Sequence, residues 1–173
     1  MTTCRLVTPD DASELAQLLW LNREFLAPWE PARGSDYFTE AGQRIAIQDA
    51  LAEHKLGRNL PLVIVDEADA ILGRITLNGI VRGAFQSCSV GYWVSQAACG
   101  RGVATAAMTQ VISVAFGELS LHRIQAETLP HNVASQKVLE RTGFERIGMA
   151  PAYLKIAGRW QDFILFQLIN DAG

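Results

Sequence analysis

Two segments of the sequence combine residue types and spacings that favour chemistry, and the first is rich in glycine. It consists of Gly100, Arg101, Gly102, Val103, Ala104 and Thr105. These residues follow an apolar run and begin a helical pattern, and a helix N-terminus attracts phosphate through its unpaired N–H groups and its dipole. Glycine lets the backbone approach the phosphate closely, and Arg101 adds positive charge. The segment predicts a phosphate site, with a simple tight turn as the alternative.

Two better-known phosphate loops do not fit this segment. The P-loop of nucleotide hydrolases needs a lysine followed by serine or threonine, and residues 100–105 contain no lysine. The dinucleotide fingerprint needs three glycines at fixed offsets in a parallel β-α-β unit. Here three strands joined by short turns precede the segment instead. Neither nucleotide hydrolysis nor hydride transfer is therefore predicted.

The second segment is a short helix with polar residues in its first turn. Asn132 is of a helix-capping type, and Ser135 follows three residues later, so both side chains lie at the helix N-terminus. Val138 and Leu139 face a core, and Gly143 is the expected left-handed stop. Each feature is common on helices by itself. The informative observation is the combination, in which a helix with this first turn follows the glycine-rich segment along the chain.

The elements that position these segments are predicted from hydrophobic periodicity and turn residues. Strands are expected at 5–7, 60–65, 70–78, 87–94, 122–128, 145–155 and 160–169. Helices are expected from Pro9 onward, at 39–55, from the glycine turn to about residue 116, and at 132–141, with a proline-rich loop at 27–31. The order β-α-α-β-β-β-α-β-α-β-β predicts one α/β domain over residues 1–173. Its core would be a single mixed, largely antiparallel sheet flanked by helices.

Composition excludes several other classes of protein. A net charge of −3 and a pI near 5.6 argue against nucleic-acid binding, which needs a basic surface. No apolar run is long enough to span a bilayer, and the first residues do not resemble a signal peptide. The three cysteines form no Cys-x-x-Cys pair, so neither a zinc site nor a disulfide framework is predicted. We therefore expect a cytoplasmic protein with no metal, membrane or nucleic-acid partner.

Together the two segments resemble the signature regions of the GNAT N-acetyltransferase superfamily. Weaker cues at 26–29, 91–94, 123–127, 130–132 and 158–162 are similar to the Rim-type subgroup, the ribosomal-protein-alanine N-acetyltransferases. The resemblance extends from Arg5 to Ile169. It implies the GNAT fold and transfer of an acetyl group from acetyl-coenzyme A to a primary amine. We expect the protein to be a monomer or a homodimer.

The resemblance also implies roles for individual residues. The backbone from Gly100 to Thr105 would bind the pyrophosphate of coenzyme A. The pantetheine arm would lie between two diverging strands, hydrogen-bonded to the backbone of Val94. Asn132 and Ser135 would line the cofactor from the following helix.

Attack of a neutral amine on the thioester needs a base, an oxyanion donor and help for the leaving thiolate. Glu127 is the candidate base, because strand alternation places it opposite the apolar face of its strand; a salt bridge is the alternative. The N–H of Val94 is the candidate oxyanion donor. Trp29 and Tyr92 are candidates for binding the acceptor, with a place in the core as the alternative.

Two positions depart from the superfamily pattern. Cys99 stands where glutamine or arginine is usual, which removes one contact to the cofactor. Leu139 stands where a tyrosine often protonates the thiolate, and Ser135 is the candidate to replace it. A covalent route through Cys99 is disfavoured, because the motif places this thiol beside the pyrophosphate.

Three functional hypotheses follow. The first is acetylation of a protein or peptide N-terminus, such as that of a ribosomal protein. The second is acetylation of a small amine such as an antibiotic or a polyamine. The third is a domain that binds acyl-coenzyme A without catalysis. Turnover of the cofactor with a panel of amines distinguishes them.

Overall fold

A computed structural model describes residues 1–171 of the chain, and seven β-strands and five α-helices lie within them. The strands are β1 (Thr3–Leu6), β2 (Leu60–Val65), β3 (Ile71–Val81), β4 (Ser87–Val94), β5 (Arg123–Thr128), β6 (Glu145–Ile156) and β7 (Arg159–Ile169). The helices are α1 (Ala12–Leu21), α2 (Arg23–Leu26), α3 (Glu40–Lys55), α4 (Val103–Ser113) and α5 (Val133–Arg141). The domain predicted over 1–173 includes Ala172 and Gly173, which lie outside the described residues.

All seven strands form one sheet in the order β1-β2-β3-β4-β5-β7-β6. Neighbours are antiparallel except β4 and β5, which run parallel. Turns connect β2 to β3, β3 to β4 and β6 to β7, whereas the parallel pair requires a longer crossover, which α4 supplies. The predicted mixed, largely antiparallel sheet flanked by helices is confirmed.

Helices cover both faces of this sheet. On one face, Leu15 of α1 and Ile47 of α3 are fully buried against Val63 of β2 and Ile71 of β3. On the other face, α4 and α5 pack on the central strands in a larger apolar cluster. The helical residues buried in that cluster are Val103, Ala107, Met108, Val111 and Leu139. Burial of these apolar stripes fixes α4 and α5 next to β4 and β5.

The structure adds one short helix, α2, to the predicted order of elements, which it otherwise follows with local differences at three places. The 3-10 turn Pro9–Asp11 precedes the first α-helix, which begins at Ala12 rather than at the proline. The segment predicted as a loop at 27–31 begins with a second 3-10 turn, Ala27–Trp29, in which Pro28 is accommodated because an N–H is not needed there. Strand β3 continues beyond Asn78 through a bulge to Val81.

Helix α3 is long but amphipathic. Its 16 residues begin after Thr39, whose side chain accepts a hydrogen bond from the Gly42 N–H at 3.0 Å. Its buried positions are Gln43 and Ile47, and most of the others face solvent. Across residues 1–171, no helix combines the length and the apolar character that crossing a membrane requires.

Candidate active site

The sheet opens between β4 and β5, as the sequence resemblance implied. The two strands pair only over residues 87–89 of β4 and 123–125 of β5. Beyond these positions β4 stays paired with β3 as far as Val94, and β5 stays paired with β7 as far as Thr128. Within residues 1–171, the edges of β4 and β5 that face each other there have no strand partner. This gap is where an extended ligand could add its own backbone-like hydrogen bonds.

The backbone N–H of Val94 points into this gap. The next residue, Ser95, donates to the Leu72 carbonyl at 2.8 Å on the opposite side, toward β3. Because N–H directions alternate along a strand, the Val94 N–H faces the β5 side. Gly73 of β3 keeps the two strands close, since a Cβ on it would lie 2.2 Å from the Trp93 carbonyl oxygen. The Val94 N–H is thus available as a donor in the gap.

A glycine turn leads from β4 into α4. Gly100 and Gly102 have φ values of 73° and 77°, which residues with a Cβ rarely adopt. A Cβ built on Gly102, the residue before α4, meets no atom within 4 Å. Open space therefore lies beside the first turn of α4, where the N–H groups of Val103, Ala104 and Thr105 have no acceptor within the helix. This geometry suits an anionic ligand.

Polar side chains of α5 and β4 form a hydrogen-bonded chain. The Asn132 side chain accepts a hydrogen bond from the Ser135 N–H at 3.2 Å and so caps α5. The Ser135 Oγ lies 2.7 Å from the Tyr92 Oη, and either hydroxyl can be the donor. Burial raises the pKa of Tyr92 to about 12, and the hydrogen bond to Ser135 opposes that rise. The phenol therefore keeps its proton at neutral pH.

A cavity of about 430 Å³ connects the gap, the glycine turn and the start of α5. The predicted site residues in its wall are Trp29, Tyr92, Val94, Gly100, Gly102, Val103, Ala104, Thr105, Asn132 and Ser135. Arg101, which was expected to add charge to the phosphate site, is exposed in the turn and does not line this cavity. Ten residues predicted from separate segments are thus brought to one surface, and the Arg101 side chain is not.

A second cavity of about 240 Å³ adjoins the first. Trp29, Tyr92, Asn132 and Ser135 line both cavities, whereas Glu127 lines only the second. We call the second one the acceptor-side cavity. The arrangement places the Tyr92–Ser135 pair at the junction of the two.

Glu127, the candidate base, is a half-buried carboxylate in the wall of the acceptor-side cavity. Its neighbours Ala126 and Thr128 on β5 are buried at 2% exposure each, so the expected alternation is observed and Glu127 faces the acceptor-side cavity. Burial raises the pKa of Glu127, and a hydrogen bond from Tyr153 partly offsets that rise. No lysine, arginine or histidine among the described residues lies within ion-pair distance of it, so the alternative salt bridge is not observed.

The two positions that depart from the superfamily pattern have clear surroundings. Leu139 of α5 has no solvent exposure, packs in the larger apolar cluster and also lines the acceptor-side cavity. Cys99 lies in the wall of the larger cavity, and its thiol is 3.4 Å from the Ser95 carbonyl oxygen. Burial raises the pKa of this thiol, which disfavours the nucleophilic thiolate. Leu139 thus has no proton to donate, and the Cys99 thiol holds its proton more strongly than a free thiol does.

Several wall residues were not identified from the sequence. Lys137 and Arg141 of α5 line the larger cavity with Ala134 and Val138. Their i, i+3, i+4, i+7 spacing is a helical stripe, which is a signal that could have identified them. Glu30 of the acceptor-side cavity lies in the proline-rich loop, where no periodicity indicates which way a side chain points.

Comparisons with known proteins agree with this geometry. Residues 2–145 match a family described as the acetyltransferase (GNAT) domain. The [ribosomal protein uS5]-alanine N-acetyltransferase of Escherichia coli is 36% identical over 165 residues, which cover 95% of this chain and 85% of that protein.

Two solved structures extend the comparison. The ribosomal-protein-S5-alanine acetyltransferase of Vibrio fischeri has 36% sequence identity and a TM-score of 0.93, covering 98% of this chain and 93% of the other. The Mycobacterium smegmatis RimJ in complex with CoA-disulfide has 31% identity and a TM-score of 0.94, covering 99% and 83%. The predicted resemblance is confirmed, and the chain belongs to the GNAT family of N-acetyltransferases.

Proposed function

We propose that this protein transfers the acetyl group of acetyl-coenzyme A to the α-amino group of a protein or peptide N-terminus. The observation that supports this proposal most directly is a pair of adjoining cavities. One lies beside the N-terminus of α4, the other contains Glu127, and the two meet at Tyr92 and Ser135. The relatives named for alanine acetylation on a ribosomal protein, and the relative bound to CoA-disulfide, support this assignment.

The residues of the larger cavity fit coenzyme A. The N–H groups at the start of α4 would hold the pyrophosphate, and the unpaired edge of β4 would hold the pantetheine arm through the Val94 backbone. When bound, acetyl-coenzyme A supplies the acetyl group as a thioester. The basic side chains of Lys137 and Arg141 on the same wall would favour the negatively charged nucleotide end.

Groups of this chain would then assist three parts of the reaction: deprotonation of the amine, stabilisation of the oxyanion and departure of the thiolate. The Glu127 carboxylate would take a proton from the incoming ammonium, and its raised pKa brings it nearer the working pH. The Val94 N–H would donate to the carbonyl oxygen as negative charge develops there. The hydroxyls of Ser135 and Tyr92 would donate toward the sulfur of the leaving thiolate.

An α-amino group suits this chemistry better than a lysine side chain. With a pKa near 8, roughly a tenth of an α-amine is neutral at pH 7, whereas a lysine with a pKa near 10.4 has far less of the nucleophilic form. A single carboxylate base is therefore sufficient more readily for an N-terminus, because a larger fraction of its amine is already neutral.

The test is thiol release from acetyl-coenzyme A with three groups of acceptors: peptides with a free N-terminus, the same peptides blocked at the N-terminus, and small amines. We expect turnover of the free peptides only, with mass spectrometry locating the acetyl group on the first residue. Reaction of a small amine without any peptide would show the second hypothesis to be right. Tight coenzyme A binding without turnover of any amine would favour the third.

A further inference from the structure

Glu30 is a wall residue of the acceptor-side cavity that the proposed reaction does not use. It follows the 3-10 turn Ala27–Trp29, and its carbonyl accepts a hydrogen bond from the Ala157 N–H at 2.9 Å in the turn between β6 and β7. The neighbouring Trp29 packs on the apolar cluster of Leu129, Ile156 and Phe163. Two separate parts of the fold thus hold the Glu30 backbone in place at the cavity.

The Glu30 carboxylate is half-buried and makes no direct hydrogen bond or ion pair within the described residues. Within residues 1–171, no group donates a hydrogen bond to it and no cationic side chain comes within 4.0 Å. Burial raises the pKa of Glu30, and the charge of Arg33 opposes that rise. The Arg33 guanidinium itself lies 4.5 Å from the centre of the Tyr37 ring. With no direct hydrogen bond and with Arg33 stacked on Tyr37, the carboxylate is free to bind a cationic group of a ligand in the cavity.

The charges on the cavity wall all have one sign. Glu30 and Glu127 are its two charged residues among the described part of the chain, and the rest of its wall is apolar or neutral. Two carboxylates against apolar walls focus negative potential and attract cations. One carboxylate is enough to accept the proton of the reacting amine, so the second needs another explanation.

The reacting amine is a poor partner for Glu30. A nearby carboxylate favours the charged form of an ammonium, and the amine must lose its proton before it attacks. A second positive charge on the acceptor keeps its proton throughout the reaction. It can therefore pair with Glu30 without hindering deprotonation of the reacting amine. Glu30 comes from the α2–α3 loop and Glu127 from β5, so the two carboxylates approach the cavity from different elements.

We propose that Glu30 sets acceptor specificity by binding a positive charge on the acceptor other than the amine that reacts. The favoured acceptors are N-termini with lysine or arginine close to the reacting amine, and the second residue is the position that we test. This inference rests on the proposed function, because it names which N-termini the enzyme prefers.

The test compares two peptides that differ only at the second residue, Ala-Lys and Ala-norleucine, with the wild type and with Glu30→Gln. For the wild type we expect kcat/KM to be about tenfold higher with the lysine peptide, the size of one charge-assisted hydrogen bond. Glu30→Gln should bring that ratio close to one. Glu30→Lys should reverse the preference and favour an Ala-Glu peptide.

Glu24→Gln is the matched control. It removes the same unit of charge from an exposed side chain of α2 that lines neither cavity, so the peptide ratio should stay at the wild-type value. Unfolding midpoints and coenzyme A affinity show whether each variant is folded. A wild type without preference, or a Glu30→Gln variant with an unchanged ratio, overturns this inference and leaves the proposed function standing. Failure of every peptide overturns both.

Discussion

At the residue scale, the question is which hydroxyl replaces the missing tyrosine at Leu139. Leu139 lines the acceptor-side cavity together with Ser135 and Tyr92, but its side chain has no proton to donate. The Ser135 and Tyr92 hydroxyls lie at the junction of the two cavities, 2.7 Å apart. A buried phenol that keeps its proton can fix the orientation of the serine hydroxyl and supply the second donor of a chain.

Ser135→Ala is expected to lower kcat by about tenfold to a hundredfold while leaving coenzyme A affinity close to that of the wild type. The reason is that a donor to the leaving thiolate acts mainly after the cofactor is bound. Tyr92→Phe should lower kcat less, because Ser135 keeps its own hydroxyl. Steady-state kinetics and calorimetric titration with coenzyme A separate the two effects. A parallel fall in affinity and kcat would show that Ser135 is only a binding contact or a cap.

The pH dependence of kcat tests Glu127 as the base. A carboxylate accepts a proton only when ionised, so kcat should fall as the pH drops through the pKa of Glu127, which burial raises above its ordinary value of 4.5. The hydrogen bond from Tyr153 lowers that pKa. Tyr153→Phe should therefore move the acidic limb of the kcat–pH profile to higher pH. Glu127→Gln should lower kcat about a hundredfold and remove the limb. A limb that stays in place in both variants would exclude Glu127.

At the element scale, sequence reasoning succeeded where one local pattern determines the structure. The alternation of β5 predicted the direction of Glu127, and the capped first turn of α5 predicted Asn132 and Ser135 together. Sequence reasoning failed where the direction of a side chain depends on packing between elements that are distant along the chain. The direction of Glu30 is set by contact between its loop and the β6–β7 turn, and no local pattern records that contact. The gap itself was expected from family resemblance, since pairing of β4 with β5 is non-local.

The glycine turn before α4 offers a prediction with a close control. Gly102→Val should weaken coenzyme A binding at least tenfold, because the side chain would fill the open space beside the helix N-terminus and strain a φ of 77°. Gly57→Val imposes the same strain at a φ of 70°, also with no atom within 4 Å, but at the end of α3 and outside both cavities.

Calorimetric titration with coenzyme A measures this effect directly. Gly57→Val should lose stability and keep the wild-type affinity. Equal affinities of the wild type and a folded Gly102→Val variant would rule out this placement of the pyrophosphate.

At the scale of the whole molecule, stability and binding depend on different parts of the sheet. Arg5 of β1 donates to both carboxylate oxygens of Asp11 at 2.9 Å and to Asp69 in the β2–β3 turn at 2.8 Å. Burial raises the pKa of Asp11, but the hydrogen bonds from Arg5 and from the Thr8 N–H outweigh it and leave the pKa below its usual value. This network joins β1, the start of α1 and the β2–β3 turn, and none of its residues lines either cavity.

The last prediction separates these two contributions by thermal unfolding. Asp11→Asn should lower the free energy of unfolding by about 1.5–3 kcal/mol, since it weakens hydrogen bonds to a charged, nearly buried carboxylate with 8% exposure. Coenzyme A at about a hundred times its Kd should stabilise the wild type by about 2.7 kcal/mol, which raises the midpoint by roughly 5–10 °C. Because the network touches neither cavity, the same ligand-induced rise is expected in Asp11→Asn from its lower starting midpoint. A rise that vanishes in this variant would show that β1 and the cofactor site are coupled through the sheet, contrary to the separation argued from the structure.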